Sequence, residues 1–522
     1  MRVAVIGAGA SGLAAIKACV EEGLDVVCFE RNNVVGGLWY FTEEEGHSSV
    51  MRSTVINTSK QMMSYTDFPI PHTFPLFMHN RKVLEYLEMY AKHFDLYQYI
   101  KFDSVVQNVY RAEDFSETGH WMVNWAPKGK ESVGNLTEVF DAVMVCTGHH
   151  WQKNWPTFEG MDVFDGKQIH SKTYKDVKGY ENKVVVVVGF GNSSGDIACE
   201  LSRCAKQVYT STRRGAWVMS RQLFSGYPFD QFGLRRNLDM LPQSIKNRTT
   251  EFMFNFRFNH KKWGIKPSYA IGCQHPMVND DLPVRIACGT VVVKPNIKRL
   301  TKQGVMFDDG TFVDNVDVII YATGYRISFP LLENNELIDT SQNKFDLYKY
   351  LFLPQLEKQT LACIGVLQPI GAINPLVDLQ CRLATRVFLG KVKLPKASVM
   401  CKEINEAREK LEKRYYNSPR HTVQVDVIPY GDELAALIGC KPNMLKMLFT
   451  DPALSLQCFF GPCYPQQYRL EGPGKWYGAR EYIMDAHRYT FSPMSKETSQ
   501  STNWVRLFCF VFVALFLIYL LW

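Results

Sequence analysis

The sequence predicts an α/β protein with two parallel-sheet domains of the Rossmann type, the second inserted into the first. One observation is a glycine-rich turn that follows a short apolar strand at the start of the chain. Another is a second such turn after a run of valines at 184–188. Two more apolar strands, within 141–148 and 317–324, end in Thr-Gly and enclose this second turn. Strands that alternate with glycine-rich turns and helices are typical of doubly wound sheets.

The first turn has the pattern G-x-G-x-x-G, formed by Gly7, Ala8, Gly9, Ala10, Ser11 and Gly12. The first glycine makes the tight turn, the second lets a pyrophosphate approach the backbone, and the third allows close packing of helix on strand. We expect a helix from Leu13 to about Glu22 and a strand over 25–29. Glu30 follows that strand and can accept hydrogen bonds from a ribose diol. This arrangement predicts a dinucleotide site.

The second turn comprises Gly189, Gly191, Asn192, Ser193, Ser194, Gly195 and Asp196, with Ser194 in place of the third glycine. At the position equivalent to Glu30 the second fold has Thr212, and Arg213 and Arg214 follow it. An acid would repel a ribose 2′-phosphate, whereas guanidinium groups bind one. The second domain is therefore predicted to bind NADP(H), although two adjacent arginines can also be ordinary loop residues.

We predict five segments along the chain. Residues 1–150 form the first part of an FAD domain, and 151–325 form an NADP domain with an aromatic and basic insertion at about 217–290. The FAD domain resumes over 326–445, a C-terminal region covers 446–503, and 504–522 form a tail. The alternating phenylalanines within the insertion (252–258) are compatible with either a strand or a helix.

Composition limits the class of protein. The chain has 522 residues, 46% of them apolar and 21% charged, with a net charge of +7, which does not indicate a nucleic-acid partner. The cysteines are scattered, no pair has the spacing of a zinc site, and there is no signal peptide, so we expect a cytosolic chain without a metal. Residues 507–522 carry no charge, and we expect them to anchor the chain in a membrane; a buried core helix is the alternative.

Several motifs together resemble one enzyme family. Residues 164–174 match F-x-G-x-x-x-H-x-x-x-[YF], with Tyr174-Lys175 where related Baeyer–Villiger enzymes have Trp-Pro. The segments 36–39, 57–60, 213–217, 322–325 and 472–476 match as well. The sequence resembles the animal flavin-containing monooxygenases over nearly its whole length.

The resemblance implies a reaction cycle and a set of partners. NADPH reduces FAD, O2 adds to form a C4a-hydroperoxyflavin, and one oxygen atom passes to an amine nitrogen, a sulfide sulfur or a ketone. The resemblance also implies small lipophilic substrates, membrane lipid, a homodimer, and an endoplasmic reticulum location with the catalytic part in the cytosol. An NADPH oxidase that releases hydrogen peroxide and a non-catalytic NADP(H)-sensing flavoprotein are alternatives.

The expected site residues come from the motifs above and from this resemblance. Asn57 is expected to be catalytic and to donate to a peroxide oxygen, although by sequence alone it would be a cap or turn residue. The residues expected at FAD are Gly7, Ala8, Gly9, Ala10, Ser11, Gly12, Glu30, Gly37, Leu38, Trp39, Asn57 and Thr58. Those expected at NADP are Ile56, Asn57, Gly189, Gly191, Asn192, Ser193, Ser194, Gly195, Asp196, Arg213 and Arg214. His170 is expected to be structural. Asn374 is expected to cap a helix that faces the flavin, with Pro375 at its first position.

Overall fold

Strands and helices alternate along most of the chain in the computed structural model, which describes residues 1–44, 46–132, 134–415 and 422–494. The strands are β1 Arg2–Ile6, β2 Asp25–Phe29, β3 Ile100–Lys101, β4 Ser104–Arg111, β5 Trp121–Pro127, β6 Leu136–Phe140, β7 Ala142–Val145, β8 Gln152–Lys153, β9 Lys167–His170, β10 Val184–Val188, β11 Gln207–Ser211, β12 Val218–Met219, β13 Met277–Val278, β14 Val291–Lys294, β15 Ile297–Leu300, β16 Val305–Phe307, β17 Phe312–Val313, β18 Val318–Tyr321, β19 Tyr325–Arg326, β20 Leu361–Cys363, β21 Gln368–Pro369 and β22 Gln424–Val425.

The α-helices are α1 Ala10–Glu21, α2 Lys60–Met63, α3 Asn80–His93, α4 Phe115–Thr118, α5 Asn192–Leu201, α6 Phe229–Gly233, α7 Arg236–Asp239, α8 Gln243–Arg257, α9 Leu282–Ala287, α10 Asn374–Phe388, α11 Ala397–Arg414, α12 Val427–Ile438, α13 Met444–Thr450, α14 Pro452–Phe460 and α15 Ala479–Asp485. Short 3-10 turns lie at Gly37–Trp39, Leu96–Tyr99, Ser171–Thr173, Phe224–Gly226, Glu333–Asn335, Ser341–Asn343, Pro465–Arg469 and Ala486–Tyr489.

The first five-stranded sheet is parallel throughout and has the order β20-β7-β1-β2-β3. Its register places Ile6 opposite both Phe29 and Val145, so the carboxyl ends of β1, β2 and β7 meet at one edge. Ligands of such sheets bind outside these carboxyl ends. The first glycine-rich turn and Glu30 therefore lie at the edge where a ligand is expected.

The second five-stranded sheet is also parallel, with the order β14-β11-β10-β18-β9. The valines of β10 form its central strand, and all but the first of them are buried, because both faces of the sheet are covered. The α/β fold with parallel Rossmann-like sheets is thus confirmed.

Chain connectivity places one sheet within the other. β7 and β20 are parallel neighbours in the first sheet, yet every strand of the second sheet lies between them in the sequence. The short strands β8 and β19, which pair antiparallel, form the two crossings between the sheets. The exact domain boundaries at 150 and 325 stay predictions.

Helices α1 and α10 pack on each other over one face of the first sheet, within the largest apolar core of the described residues. The antiparallel strands β4, β5 and β6 contribute to the core on the opposite face. A core on each side fixes the sheet, so the turns at its carboxyl edge have a rigid support.

The aromatic segment of the insertion is a helix rather than a strand. In α8 Phe254 is buried, whereas Phe252 and Phe256 are exposed. The spacing of four residues between the two exposed rings places them on one helix face, which explains the alternation in the sequence.

Among the described residues, no helix is both long and apolar enough to cross a bilayer. The predicted tail anchor, 504–522, lies outside the described residues.

Candidate functional site

The first glycine-rich turn requires glycine at two positions for steric reasons, and its middle glycine lies against a second segment of backbone. Gly7 has a φ of +98°, and a Cβ on it would lie 2.9 Å from the carbonyl oxygen of Cys146. A Cβ on Gly12 would lie 1.8 Å from the carbonyl oxygen of Gly7, so helix α1 touches the strand it follows. Gly9 lies close to Gly37, since a Cβ on Gly37 would be 3.0 Å from the Cα of Gly9. The turn and the segment around Gly37 therefore form one backbone surface.

Glu30 lies at the end of β2 and is almost fully buried. Its carboxylate accepts hydrogen bonds from the backbone N–H of Ala8 (2.7 Å) and of Asn32 (2.9 Å). Burial raises the pKa of Glu30, while these two N–H groups oppose the increase. The two contacts fix the carboxylate beside the turn, in the place where a ribose diol is expected.

The 3-10 turn Gly37–Trp39 packs beside the first turn, and the N–H of Gly36 donates to the carbonyl of Ala8 at 3.0 Å. Leu38 is exposed and Trp39 is partly buried against the core of the first domain. The structure thus brings together the turn residues 7–12, Glu30 and the segment 37–39, all predicted to contact FAD.

Helix α10 approaches the same turn. The Sγ of Cys381, on this helix, donates to the carbonyl oxygen of Ser11 at 3.8 Å. The predicted cap is wrong: Asn374 is the first residue of the helix, Ile373 holds the cap position, and no side chain caps the end. The backbone of Ile373 is already helical, so Asn374 is inside the first turn. Its Nδ2 is buried without a protein partner.

A buried amide donor without a partner is costly, and in native proteins ordered water or a ligand usually satisfies one. The donor lies at the amino end of a fifteen-residue helix, where negative charge is stabilised. Together with the open glycine turn, these groups fit the polar edge of a flavin. The residues present at this edge of the sheet therefore suit FAD.

The second turn repeats this geometry with one exchange. Gly189 has a φ of +115°, and a Cβ on it would lie 2.4 Å from the carbonyl oxygen of Ala322. The hydroxyl of Ser194 donates to the carbonyl oxygen of Gly189 at 2.6 Å. Gly7 and Gly12 occupy the equivalent positions in the first turn. Ser194 therefore forms a hydrogen bond where Gly12 allows the helix to pack directly against the backbone. Nothing lies within 4 Å of a Cβ on Gly191, which leaves room for a pyrophosphate.

Other residues of the second turn contact the insertion. The Oδ1 of Asn192 accepts from the N–H of Val278 at 2.7 Å, and Asp196 accepts from the Nδ2 of Asn279 at 2.9 Å. Burial raises the pKa of Asp196 to about 6. Ser193 is exposed at the start of the helix, and Gly195 is packed against Met277. The predicted NADP contacts of these residues stay predictions; their protein contacts hold α5 against the insertion.

Arg213 and Arg214 follow β11 and are both exposed. Thr212 accepts the backbone N–H of Gly215 at 3.0 Å, which shapes the loop that carries the two arginines. They are positioned by the same sheet edge as the second glycine-rich turn.

Asn57 is held by an arginine that the sequence did not indicate. The Nη2 of Arg221 donates to Asn57 Oδ1 at 2.8 Å, and its Nε donates to the carbonyl of Ile56 at 3.2 Å. Arg221 pairs in turn with Asp280 at 2.8 Å. No local pattern could reveal Arg221, because it lies 164 residues from Asn57 in sequence.

The loop after Asn57 is fixed at further points. Thr58 is buried, and the N–H of Ser59 donates to Asp230 at 2.7 Å. The buried ammonium group of Lys60 donates to the carbonyl oxygens of His72 and Phe74 at 2.7 and 2.8 Å. Burial lowers the pKa of Lys60 to about 8. These contacts hold residues 57–60 as one rigid unit.

His170 has structural contacts, in agreement with the sequence interpretation. Its Nδ1 accepts the N–H of Lys172 at 3.1 Å, so Nε2 carries the proton and donates to the carbonyl of Gly324 at 3.0 Å. Burial lowers the pKa of His170 to about 4.

Comparisons with known proteins agree with this geometry. A model of the flavin-binding monooxygenase-like family matches residues 1–522. The chain is 50% identical to flavin-containing monooxygenase 5 of Mus musculus, over 94% of this chain and 93% of the mouse protein. It is 46% identical to N-oxide-forming dimethylaniline monooxygenase 2 of Rattus norvegicus, over 96% and 94% of the two chains.

Two solved structures share the fold. An S-allyl-L-cysteine S-oxygenase from Allium sativum has a TM-score of 0.64 at 24% identity and covers 94% of this chain and 98% of its own. A cyclohexanone monooxygenase has a TM-score of 0.60 at 16% identity, covering 84% and 97%.

The motifs of the sequence also favour a likeness to the fifth mammalian isoform, which the curated relatives confirm. The predicted cofactors, FAD and NADP(H), are those of this group of proteins. With two Rossmann-type sheets, two glycine-rich turns and full-length similarity, the chain belongs to the flavin-containing monooxygenase family and is an enzyme of that type.

Proposed function

We propose that the protein transfers one oxygen atom from O2 to small lipophilic substrates. The acceptor is an amine nitrogen, a sulfide sulfur or a ketone. In a ketone the oxygen atom is inserted next to the carbonyl carbon, which gives an ester. One molecule each of substrate, O2 and NADPH and one proton give the oxygenated product, water and NADP⁺. When bound, FAD and NADPH supply the redox chemistry, and the protein supplies binding, orientation and electrostatics.

The observation that carries the proposal is the fixed orientation of Asn57. Because its Oδ1 accepts from Arg221, its Nδ2 is left as the donor end of the amide. A neutral amide can donate to a developing negative charge on oxygen without releasing a proton to it. Such a group favours retention of activated oxygen over its loss as hydrogen peroxide.

The remaining residues bind the two dinucleotides. Gly9 and Gly191 allow the pyrophosphates to approach the amino ends of α1 and α5, where partial positive charge collects. Glu30 would accept from the ribose of FAD, and Asn374 would donate to the flavin ring. Positioned donors of this kind contribute mainly by holding reacting groups together.

Relatives support the substrate class. One relative, at 46% identity, is an N-oxide-forming dimethylaniline monooxygenase, so we assign tertiary amines to this chain first. Sulfides, which are softer nucleophiles than amines, and ketones, which are electrophiles, are the alternative substrates.

We further propose that the enzyme works at the endoplasmic reticulum membrane, with the catalytic part in the cytosol and the apolar residues 507–522 as its anchor. Exposed apolar side chains on α13 and α14 support a membrane surface: Leu445, Leu448, Phe449, Leu456 and Phe460. Flotation with liposomes tests this location, and we expect the full-length chain to float. If a chain that ends before residue 504 still floats, α13 and α14 bind the membrane without the tail. A full-length chain that does not float refutes the location. A homodimer is proposed on family likeness alone and is tested by light scattering.

The decisive experiment counts product and hydrogen peroxide per NADPH consumed, with one tertiary amine, one sulfide and one ketone. Product close to the NADPH consumed with any of them supports the oxygenase. Hydrogen peroxide alone favours an NADPH oxidase, and no NADPH consumption favours a sensing role.

A further inference from the structure

We propose that Arg326 is a specificity-determining residue that binds the 2′-phosphate of NADPH together with Arg213. The inference rests on the proposed NADPH use and assigns a residue that belongs to no dinucleotide motif of the sequence. Arg326 lies after the Thr-Gly end of β18, on the second crossing between the two sheets.

Arg213 and Arg326 line one cleft of about 920 Å³. Its volume is within the range of sites that hold small molecules, roughly 300–1,000 Å³. The antiparallel pair of β8 and β19 contributes to it, since Gln152 lies opposite Arg326. The other residues that line it are Trp151, Asn154, Tyr325, Ile327, Ser328, Pro330, Asn335, Asp339, Thr340, Ser341 and Asn343.

Neither arginine has an ion-pair partner among the described residues. Arg326 makes one hydrogen bond, from Nε to Asn154 Oδ1 at 3.2 Å, which orients the guanidinium and leaves its Nη groups for another acceptor. The acid of the cleft, Asp339, instead accepts from the backbone N–H and the hydroxyl of Ser341, at 2.8 and 3.2 Å. The cleft thus holds two exposed guanidinium groups that form no ion pair with its one acid, and such groups suit a ligand that carries a dianion.

The chemistry of the cleft matches an adenosine 2′-phosphate. Guanidinium groups bind phosphate through paired N–H donors, more specifically than an ammonium group can. Trp151 and Tyr325 offer aromatic faces on which a base can stack. Arg213 follows β11, the strand position from which NADP-dependent folds contact the 2′-phosphate.

The two adjacent arginines, Arg213 and Arg214, differ in their relation to the cleft. Arg214 is not among the residues that line the cleft, and it acts on Tyr269 of the insertion. Burial raises the pKa of the Tyr269 hydroxyl, and the positive charge of Arg214 opposes the increase. Arg299 is the matched control, because it is an exposed arginine of the second domain that does not line the cleft.

The test uses the flavin-loaded full-length enzyme and calorimetric titration with adenosine 2′,5′-bisphosphate, 5′-AMP and inorganic phosphate. For Arg326→Gln and Arg213→Gln we expect affinity for the bisphosphate to fall roughly tenfold or more, with 5′-AMP nearly unchanged. Arg326→Lys should recover part of the loss, and Arg299→Gln should change affinity less than about threefold.

An Arg326→Gln enzyme that binds the bisphosphate as the wild type does would overturn the inference while leaving NADPH use intact. Equal weakening of bisphosphate and 5′-AMP would also overturn it, since the residue would then act on the adenosine in general. A wild-type enzyme without preference for the bisphosphate over 5′-AMP would instead remove the proposed NADPH use itself. Tight binding of inorganic phosphate alone would identify a general anion site and refute nucleotide recognition.

Discussion

Arg221 donates from Nη2 to the Oδ1 of Asn57 at 2.8 Å while its Nη1 pairs with Asp280, so a residue of the insertion orients the proposed catalytic amide. The side chain of Arg221 is only 12% exposed, which strengthens both contacts relative to the surface. The insertion thus contributes directly to the site.

Replacing Arg221 by Met should release the amide of Asn57 and uncouple the enzyme. We expect product per NADPH to fall by on the order of tenfold and hydrogen peroxide to rise correspondingly, because an amide that Arg221 no longer orients would stabilise activated oxygen less well. Arg257→Met is the control, since Arg257 also approaches Asp280, at 3.9 Å, from a position half exposed to solvent. Unchanged coupling in Arg221→Met, or an equal change in both variants, would contradict this role.

Asn57→Ala should cause the same uncoupling with flavin still bound. If Arg221 acts through Asn57, the variant with both Arg221→Met and Asn57→Ala should be no more uncoupled than the more severe single variant. Both substitutions then remove the same oriented amide donor. The measurement is the ratio of hydrogen peroxide to product in all four proteins. Fully multiplicative losses would show that the two residues act independently.

Gly12→Ala should give a protein without flavin. Its Cβ would lie 1.8 Å from the Gly7 carbonyl oxygen, so helix α1 must move away from the turn that holds the pyrophosphate. The readout is the flavin absorbance per protein after purification. Gly134→Ala is the control because nothing lies within 4 Å of its Cβ. A yellow Gly12→Ala enzyme with full flavin content would refute the proposed phosphate turn.

Asn374→Ala separates a flavin contact from a structural role. Because Nδ2 of Asn374 is buried without a protein partner, removing it should leave the stability of the flavin-free protein unchanged or higher. Flavin affinity should fall by roughly five- to twentyfold, the value of one hydrogen bond to a partly charged acceptor. Thermal unfolding and flavin titration give the two quantities. A loss of stability with normal flavin affinity would refute the assignment.

His170 should make the fold sensitive to acid. The pKa of its folded form, about 4, is below the ordinary value of 6.5, so the unfolded chain binds more protons between these values. Stability from this residue is complete above pH 6.5 and is lost as pH falls toward 4, up to about 3 kcal/mol. Melting temperatures of the wild type and His170→Gln should therefore converge from pH 7 to pH 5. A constant difference would show that His170 does not titrate in this window.

Much of the fold could be predicted because its signals are local. The strands over 25–29 and 184–188 and a helix at the first glycine-rich turn follow from apolar periodicity and from glycines at fixed spacing, although α1 begins at Ala10 and not at the predicted Leu13. The insertion was ambiguous, because phenylalanines at every second position suit a strand as well as the exposed and buried faces of α8. The cap at Asn374 was wrong for a similar reason: a cap depends on backbone angles that sequence does not fix.

The sequence by itself determined the two glycine-rich turns, the helix that follows each turn and the residue after each second strand, since these features are close along the chain. Only the tertiary structure decided which distant residues complete these sites. Arg221 reaches Asn57 across 164 residues, and Arg326 joins Arg213 in a cleft formed where the two crossings between the sheets pair. Contacts of that range depend on how the sheets and the insertion pack, and packing is a property of the whole chain rather than of any short segment.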